Sequence, residues 1–229
     1  MSKNLEFWNN LHQYQYNGYS QSGEQGILRR IFDCIGGGGK YCVEFGAKDG
    51  KTQSNTRSFI EDGWDHLLMD CSPGEDHVKK EFITAENVND LFDKYGVPDE
   101  IDLLSIDIDG NDYWVWKAIE RKARVVIIEC NPTYDQTQAV TIKYNPEHAW
   151  SNDHYYGASP LAMKMLGEHK GMEMVYMNRL NCVFVDKRYL PESYSFVLRY
   201  VETRGWPPNK SGTWYNLITG NYFIHPEVK

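Results

Sequence analysis

The sequence predicts an α/β domain in which five parallel strands are closed by an antiparallel hairpin and flanked by helices. Three observations predict it. Short apolar runs alternate with segments of helical spacing from residue 23 to residue 169, the pattern of strands joined by crossover helices. One run, Val125-Val126-Ile127-Ile128, is apolar without interruption, as expected of a strand buried on both faces of a parallel sheet. The last two runs, 172–177 and 182–185, are separated only by residues 178–181, a hairpin connection.

Taken in order, the first helix is expected over 23–35, where Ile27, Leu28, Ile31 and Phe32 share a face and Ser22 stands at the cap. Gly36 to Gly39 end it. A strand over 41–45 leads into the turn Gly46-Ala47-Lys48-Asp49-Gly50, followed by a helix over 54–61 and a strand over 67–69 that ends at Asp70. Phe82-Ile83 reads as a short third strand and 88–95 as a helix. The strand 101–106 runs into Asp107-Ile108-Asp109-Gly110, a helix covers 113–119, and strand 125–128 leads to Glu129. Residues 145–159 are polar and aromatic and read as a loop, with a helix over 161–169 after it. The last forty residues carry Tyr194, Phe196, Tyr200, Trp206, Trp214, Tyr215, Tyr222 and Phe223 without a period, broken by Pro207-Pro208. Packing on the domain is the expected role of these rings, a subunit interface the alternative. One domain spanning 1–229 is expected, with a core over 20–189 and an aromatic extension over 190–229.

The composition narrows the function. With 24 Lys and Arg against 32 Asp and Glu, the formal charge is −8. That balance argues against a duplex nucleic-acid binder and against docking on an anionic membrane surface. No window approaches the ~18 apolar residues of a membrane span, and the first ten residues show no secretory pattern. The five cysteines, Cys34, Cys42, Cys71, Cys130 and Cys182, form no C-x-x-C pair. Buried free thiols in a reducing cytoplasm are the expectation.

Four motifs carry chemistry. In Val43-Glu44-Phe45-Gly46-Ala47-Lys48-Asp49-Gly50 a strand acid precedes a turn whose glycines let backbone approach a ligand closely. The spacing is not G-x-G-x-x-G, and Gly39-Lys40 lacks the rest of a P-loop. Asp70 stands where α/β nucleotide sites set a carboxylate against ribose hydroxyls. Asp107-Ile108-Asp109-Gly110-Asn111-Asp112 offers three carboxylates, but Asp112 and Ala118 occupy the EF-hand positions for Gly and Glu. Asp107 is a candidate site residue, whereas Asp112 is expected to cap the next helix. Glu129-Cys130-Asn131-Pro132 ends the neighbouring strand, so Asp107, Glu129 and Asn131 form a candidate set for Mg²⁺ or Ca²⁺; the alternative is hydrogen bonding to substrate or loop. His154, in Asn152-Asp153-His154-Tyr155-Tyr156-Gly157-Ala158-Ser159, is the candidate general base. Gly157 and Ser159 are expected to start the helix at Pro160.

In their joint order, VEFGAKDG, the acidic end of strand two, LLSIDIDGNDYWVW, VVIIECNP and YYGASPLAMKMLGEHKGMEMVYMNRLNCVFV resemble the FkbM-type branch of class I S-adenosylmethionine-dependent methyltransferases. The resemblance covers roughly 20–189. It implies a Rossmann-like, seven-stranded sheet with the last strand antiparallel. It also implies that Glu44, Gly46 and Gly50 form the cofactor's methionine site and that Asp70 holds the ribose. Ala47, Lys48, Asn87 and Asp107 are expected as further cofactor contacts, and His154 and Asp107 as the catalytic residues. The chain departs from that pattern where GAKDG replaces the common GxGxG and DCSP replaces the acidic-Pro pair. The activity implied is methyl transfer to a hydroxyl of a small molecule, a sugar or glycan. A catalytically silent binding module and a nucleotide-sugar-modifying enzyme are the alternatives.

Overall fold

Alternation along the central strands divides the core into two layers. In the strand Lys122–Glu129 (β5), Val125 and Ile127 join one buried cluster while Val126 and Ile128 join another, as the two-residue period of a strand requires. One layer holds α1 (Leu5–Asn9), α2 (Glu24–Ile35) and α3 (Arg57–Glu61); the other holds α4 (Val88–Lys94), α5 (Asp112–Ala118) and α6 (Pro160–His169). The computed structural model describes residues 5–134, 136–198 and 211–225. Among them no helix is long and apolar enough to cross a membrane.

Between the layers lies a seven-stranded sheet. Its strands are β1 (Tyr41–Phe45), β2 (Asp65–Asp70), β3 (Lys79–Lys80), β4 (Glu100–Ile106), β5, β7 (Met172–Met177) and β8 (Asn181–Asp186), in the order β3-β2-β1-β4-β5-β8-β7. β1 pairs in parallel with both β2 and β4, so the chain first builds outward from β1 and then returns to its other side. That reversal opens a crevice at the carboxyl ends of β1 and β4, where open α/β sheets bind ligands.

The sheet has seven strands, and the last of them in the chain is antiparallel, as expected. β8 runs antiparallel to both β5 and β7, so β7 lies parallel to the first five. The third strand is Lys79–Lys80, paired with Met69 and Asp70, and not Phe82-Ile83. Both lysines are exposed at the sheet edge, so no hydrophobic pattern marks them. At the start of α2 the Ser20 hydroxyl, not Ser22, accepts from a helix N–H, that of Gln25 at 2.9 Å. At α6, Ser159 is the cap, accepting from Ala162 N at 3.2 Å. The five cysteines are free; Cys42, Cys130 and Cys182 are buried as expected, while Cys34 is half-buried and Cys71 exposed.

The final residues, which show no period in sequence, form β9 (Gly212–Asn216) and β10 (Asn221–His225), antiparallel to each other and, through β9, to β6 (Val140–Ile142). Trp214 is fully buried there against Tyr134, Val140 and Ile142. The expected packing role thus applies to Trp214, while Tyr222 stays exposed. Tyr200, Trp206, Pro207 and Pro208 lie outside the described residues.

At the opposite edge, the Asp102 carboxylate of β4 gathers the turn between α2 and β1. It accepts from Gly38 N at 2.5 Å, Tyr41 N at 3.1 Å and Arg124 Nη1 at 2.5 Å. Arg124 also donates to Ile35 O and Tyr189 Oη, and both charged side chains are at most 5% exposed. Removing one partner of such a pair leaves the other charge buried and alone, at a cost of about 3–5 kcal/mol. Asp102→Ala is therefore expected to lose about that much stability in urea denaturation, with part recovered in Asp102→Leu/Arg124→Met. A single variant as stable as wild type would show that the network contributes nothing.

Candidate active site at the switch point

The β1 turn is shaped by a contact that admits no side chain. Gly46 has φ 69°, and a Cβ there would lie 1.7 Å from the Asp107 carbonyl oxygen. The turn then runs along β2, with Ala47 N donating to Met69 O at 3.1 Å and Lys48 N to Asp70 Oδ2 at 2.9 Å. Asp70 Oδ1 accepts from Ser72 N at 2.7 Å. The carboxylate is thereby fixed, with the Cys71 thiol as a further hydrogen-bonding neighbour. Gly50, φ 69°, packs on His77 and Leu68 where a side chain would collide.

Not every residue of the motif faces the crevice. Glu44 is 4% exposed and accepts from Ser54 Oγ at 2.6 Å, Thr56 Oγ1 at 2.6 Å and Asn55 N at 2.7 Å. Burial pushes its pKa up, opposed by those donors. It anchors the segment that leads into α3, and Ala47 packs on Leu68 and Val78. Asn87 is likewise engaged locally, donating to Phe82 O and accepting from Thr84 N.

The second turn is built by Asp112. Its two oxygens accept from Ile108 N and Gly110 N, each at 2.9 Å. It therefore bonds backward into the loop that precedes α5 and does not cap that helix, as the sequence suggested. Burial pushes its pKa up to about 6. With Asp109 at φ 53°, this loop brings Asp107 and Asp109 against Glu129. One carboxylate oxygen from each of the three lies within 4.8 Å of the others. β4 and β5 pair through Ile106 and Ile128, which sets Asp107 beside Glu129. Burial, then the charges of Asp112 and Asp109, push Asp107 up to about 8. Burial, then Asp107, raise Glu129 well above its usual value. Glu129 Oε2 is buried and meets no hydrogen-bond donor.

Asn131 follows the alternative that the sequence left open, hydrogen bonding to a loop, and not the cation set. Its amide donates to His154 O at 2.9 Å and Tyr156 O at 3.0 Å, while its oxygen accepts from Thr133 N at 3.1 Å. With both ends committed to the backbone, it holds the 154–156 loop, and Asp109 is the third group beside Asp107 and Glu129.

Two cavities open on these turns. One, of about 210 Å³, is lined by Gly46, Asp70, Cys71, Phe82, Ile83, Ile108, Asn111 and His148. The other, of about 380 Å³, is lined by Gln21, Gln53, Glu129, Trp150, Asp153, His154 and Tyr156. They share Lys48, Asp107 and Asp109. Asn111, His148, Trp150 and Gln53 are not among the sequence-derived site residues, and Asp109 figures there only as one of the three carboxylates of the 107–112 motif; the polarity of the 145–159 loop is the one signal for His148 and Trp150. A larger cavity of about 650 Å³ lies between α1 and β7. It shares no residue with either and has no carboxylate in its lining, so the chemistry does not point there.

No family model matches this chain, and no curated protein matches it. Among solved structures, it is similar to the N-terminal domain of EvdMO1 in the presence of SAH and D-fucose. That likeness has 10% identity and a TM-score of 0.37, covering 79% of this chain and 94% of that one. The same domain with SAH bound gives the same figures. A likeness at that score establishes nothing about the site.

The carboxylate cluster has a measurable consequence. A carboxyl whose pKa is higher folded than unfolded favours the fold while protonated and loses that contribution as it ionises. For Asp107 the window runs from about pH 4, the unfolded value, to about pH 8, its value in the fold. With divalent ions removed, wild-type protein is expected to lose melting temperature relative to Asp107→Asn as pH rises across that window. Parallel curves for the two proteins would contradict it.

Proposed function

We propose that the protein transfers a methyl group from S-adenosylmethionine to a hydroxyl of a sugar or similar polyhydroxylated small molecule. The observation that carries this reading is the pair of cavities that meet at Lys48, Asp107 and Asp109 beside the switch point. In the smaller, Gly46 offers a backbone surface free of side chain and Asp70 a carboxylate, which suits a ribose and the chain attached to it. In the larger, carboxylates, carboxamides and the rings of Trp150 and Tyr156 suit a neutral polyol. Four carboxylates, Asp107, Asp109, Glu129 and Asp153, line this cavity against the single cation Lys48, which disfavours an anionic acceptor.

When bound, S-adenosylmethionine supplies an electrophilic methyl group on a sulfonium sulfur. Transfer is an in-line displacement, so the chain has to align two molecules and accept one proton. In this proposal Asp70 and the Gly46 turn hold the donor, and His154 takes the proton as the carbon–oxygen bond forms and the carbon–sulfur bond breaks. Asp107 orients the acceptor hydroxyl.

The cluster of Asp107, Asp109 and Glu129 also fits a hard divalent cation, Mg²⁺ or Ca²⁺. The donors are all oxygens, their spacing spans one ion, and Glu129 Oε2 is buried without a partner. Such an ion supplies positive charge beside the acceptor hydroxyl, which eases its deprotonation. Asn131 is left out of this set.

Calorimetry with S-adenosylhomocysteine tests the donor assignment. Asp70→Ala is expected to bind about 10- to 100-fold more weakly, the cost of hydrogen bonds to a charged group; unchanged affinity removes Asp70 from the site. Labelled methyl transfer over a panel of hydroxylated acceptors tests the reaction. His154→Ala is expected to keep donor affinity while turnover falls by about 10²–10⁴. Normal turnover at neutral pH would return His154 to a structural role. Activity is further expected to fall after EDTA dialysis and to recover with Mg²⁺, whereas full activity in chelator excludes an essential ion.

A further inference from the structure

The small sheet ends on β10, and among the described residues no strand pairs with the outer edge of β10. The backbone groups on that edge can be assigned. Lys143 N donates to Thr213 O, and Leu217 N to Ala139 O, each at 2.8 Å, so Thr213, Tyr215 and Leu217 direct their backbone toward β6. Alternation then turns Gly212, Trp214 and Asn216 toward β10, where they oppose His225, Phe223 and Asn221. Tyr222 and Ile224 are left with their N–H and C=O groups pointing outward.

Exposed edges are usually blunted by lysine, proline, a bulge or extreme shortness. The large sheet does this at β3, which is two residues long with both of its lysines exposed. β10 does none of it. Its register with β9 runs without a bulge, and residues 211–225 include no Asp, Glu, Lys, Arg or Pro. Tyr222 is 56% exposed and Ile224 73%, and the two share one face of the strand. The Tyr222 ring is already held there, with its centroid 5.0 Å from that of Tyr215 and 5.8 Å from Lys143 Nζ.

We propose that this edge pairs with the same edge of a second copy of the chain, antiparallel about a two-fold axis at Phe223. The register follows from the outward groups. With Phe223 facing its own copy at a non-hydrogen-bonded position, Tyr222 of each chain lies opposite Ile224 of the other, and each such pair exchanges both of its N–H···O bonds. The same register sets an aromatic ring beside a β-branched side chain, a favourable cross-strand pair. A second copy is the fitting occupant because the strand is complementary to itself in this register. A charged partner finds no charge to answer along 211–225, whereas two chains of formal charge −8 meet on this hairpin without opposing like charges. The two three-stranded sheets then become one continuous sheet. The proposal stands apart from the methyl-transfer reading, and neither depends on the other.

Sedimentation velocity on the full chain tests it. Wild type is expected to show a monomer–dimer equilibrium with a Kd of about 10–100 µM, as suits a short interface. Ile224→Lys, at an exposed position, is expected to weaken association by about tenfold or more without lowering the melting temperature. Tyr222→Glu carries the test if that variant does not fold. Phe223→Cys reads the register. Mild oxidation is expected to give a dimer whose disulfide maps by mass spectrometry to position 223 of both chains, since the Cα atoms of a non-hydrogen-bonded pair stand about 4.5 Å apart. Wild type that stays monomeric up to about 500 µM overturns the proposal and leaves the edge to another segment of the chain or to solvent. A dimer that Ile224→Lys leaves equally tight, or one that Phe223→Cys fails to cross-link at 223, overturns it as well.

Discussion

No side chain fits between Gly46 and the Asp107 carbonyl oxygen, and the arrangement of the whole crevice follows from that contact. It draws the turn after β1 onto the turn after β4, the two strands between which the sheet changes direction. Two strand ends held this close give the two cavities a common border at Lys48, Asp107 and Asp109. Under the proposed reading, a group passed between ligands in them would have a short path, the geometric advantage that in-line transfer needs. Any residue but glycine at position 46 would also be strained at φ 69°, so the requirement is both steric and conformational.

Charge is the second constraint on the crevice. Asp107, Asp109 and Glu129 crowd one another, with Asp112 behind them and Lys48 as the cation facing Asp107 and Asp109. Asp112 is partly stabilised by the backbone N–H groups of Ile108 and Gly110, whereas Glu129 Oε2 has no donor at all. The fold spends part of its stability holding like charges together. Such strain is tolerated where it prepares a site for a proton, a cation or a hydroxyl.

A fully satisfied network at the far edge of the sheet offsets this. The Asp102–Arg124 pair is buried but surrounded by donors and acceptors from the α2–β1 turn and from Tyr189. The small sheet of β6, β9 and β10 ties the carboxyl-terminal residues to the 140–142 segment. Tyr155, in the loop that carries His154, donates from its hydroxyl to Thr213 O at 2.6 Å. The terminal strands therefore brace the larger cavity, although none of their residues lines it among the described residues.

The sequence by itself determined the layers, the positions of most helices and strands, and the two turns at which the site is built. Apolar periodicity states which face a residue presents, and that is local information: Val125 to Ile128 read as a buried strand with no knowledge of their neighbours. It also singled out Gly46, Asp70, Asp107, Glu129 and His154, all of which line the two cavities. What the tertiary structure alone decided was which partner each polar group found. Glu44 turns to Ser54, Asn55 and Thr56, Asn131 to the loop of His154, and Asp112 to the loop before its own helix. Asp109 takes the place beside Asp107 and Glu129 because a left-handed backbone turns it there. The two-residue edge strand and the terminal sheet were equally invisible, since exposed lysines and half-buried rings carry no period. A hydrogen bond depends on where two side chains meet in space, and a hydrophobic period fixes the face of a residue without fixing what comes to meet it.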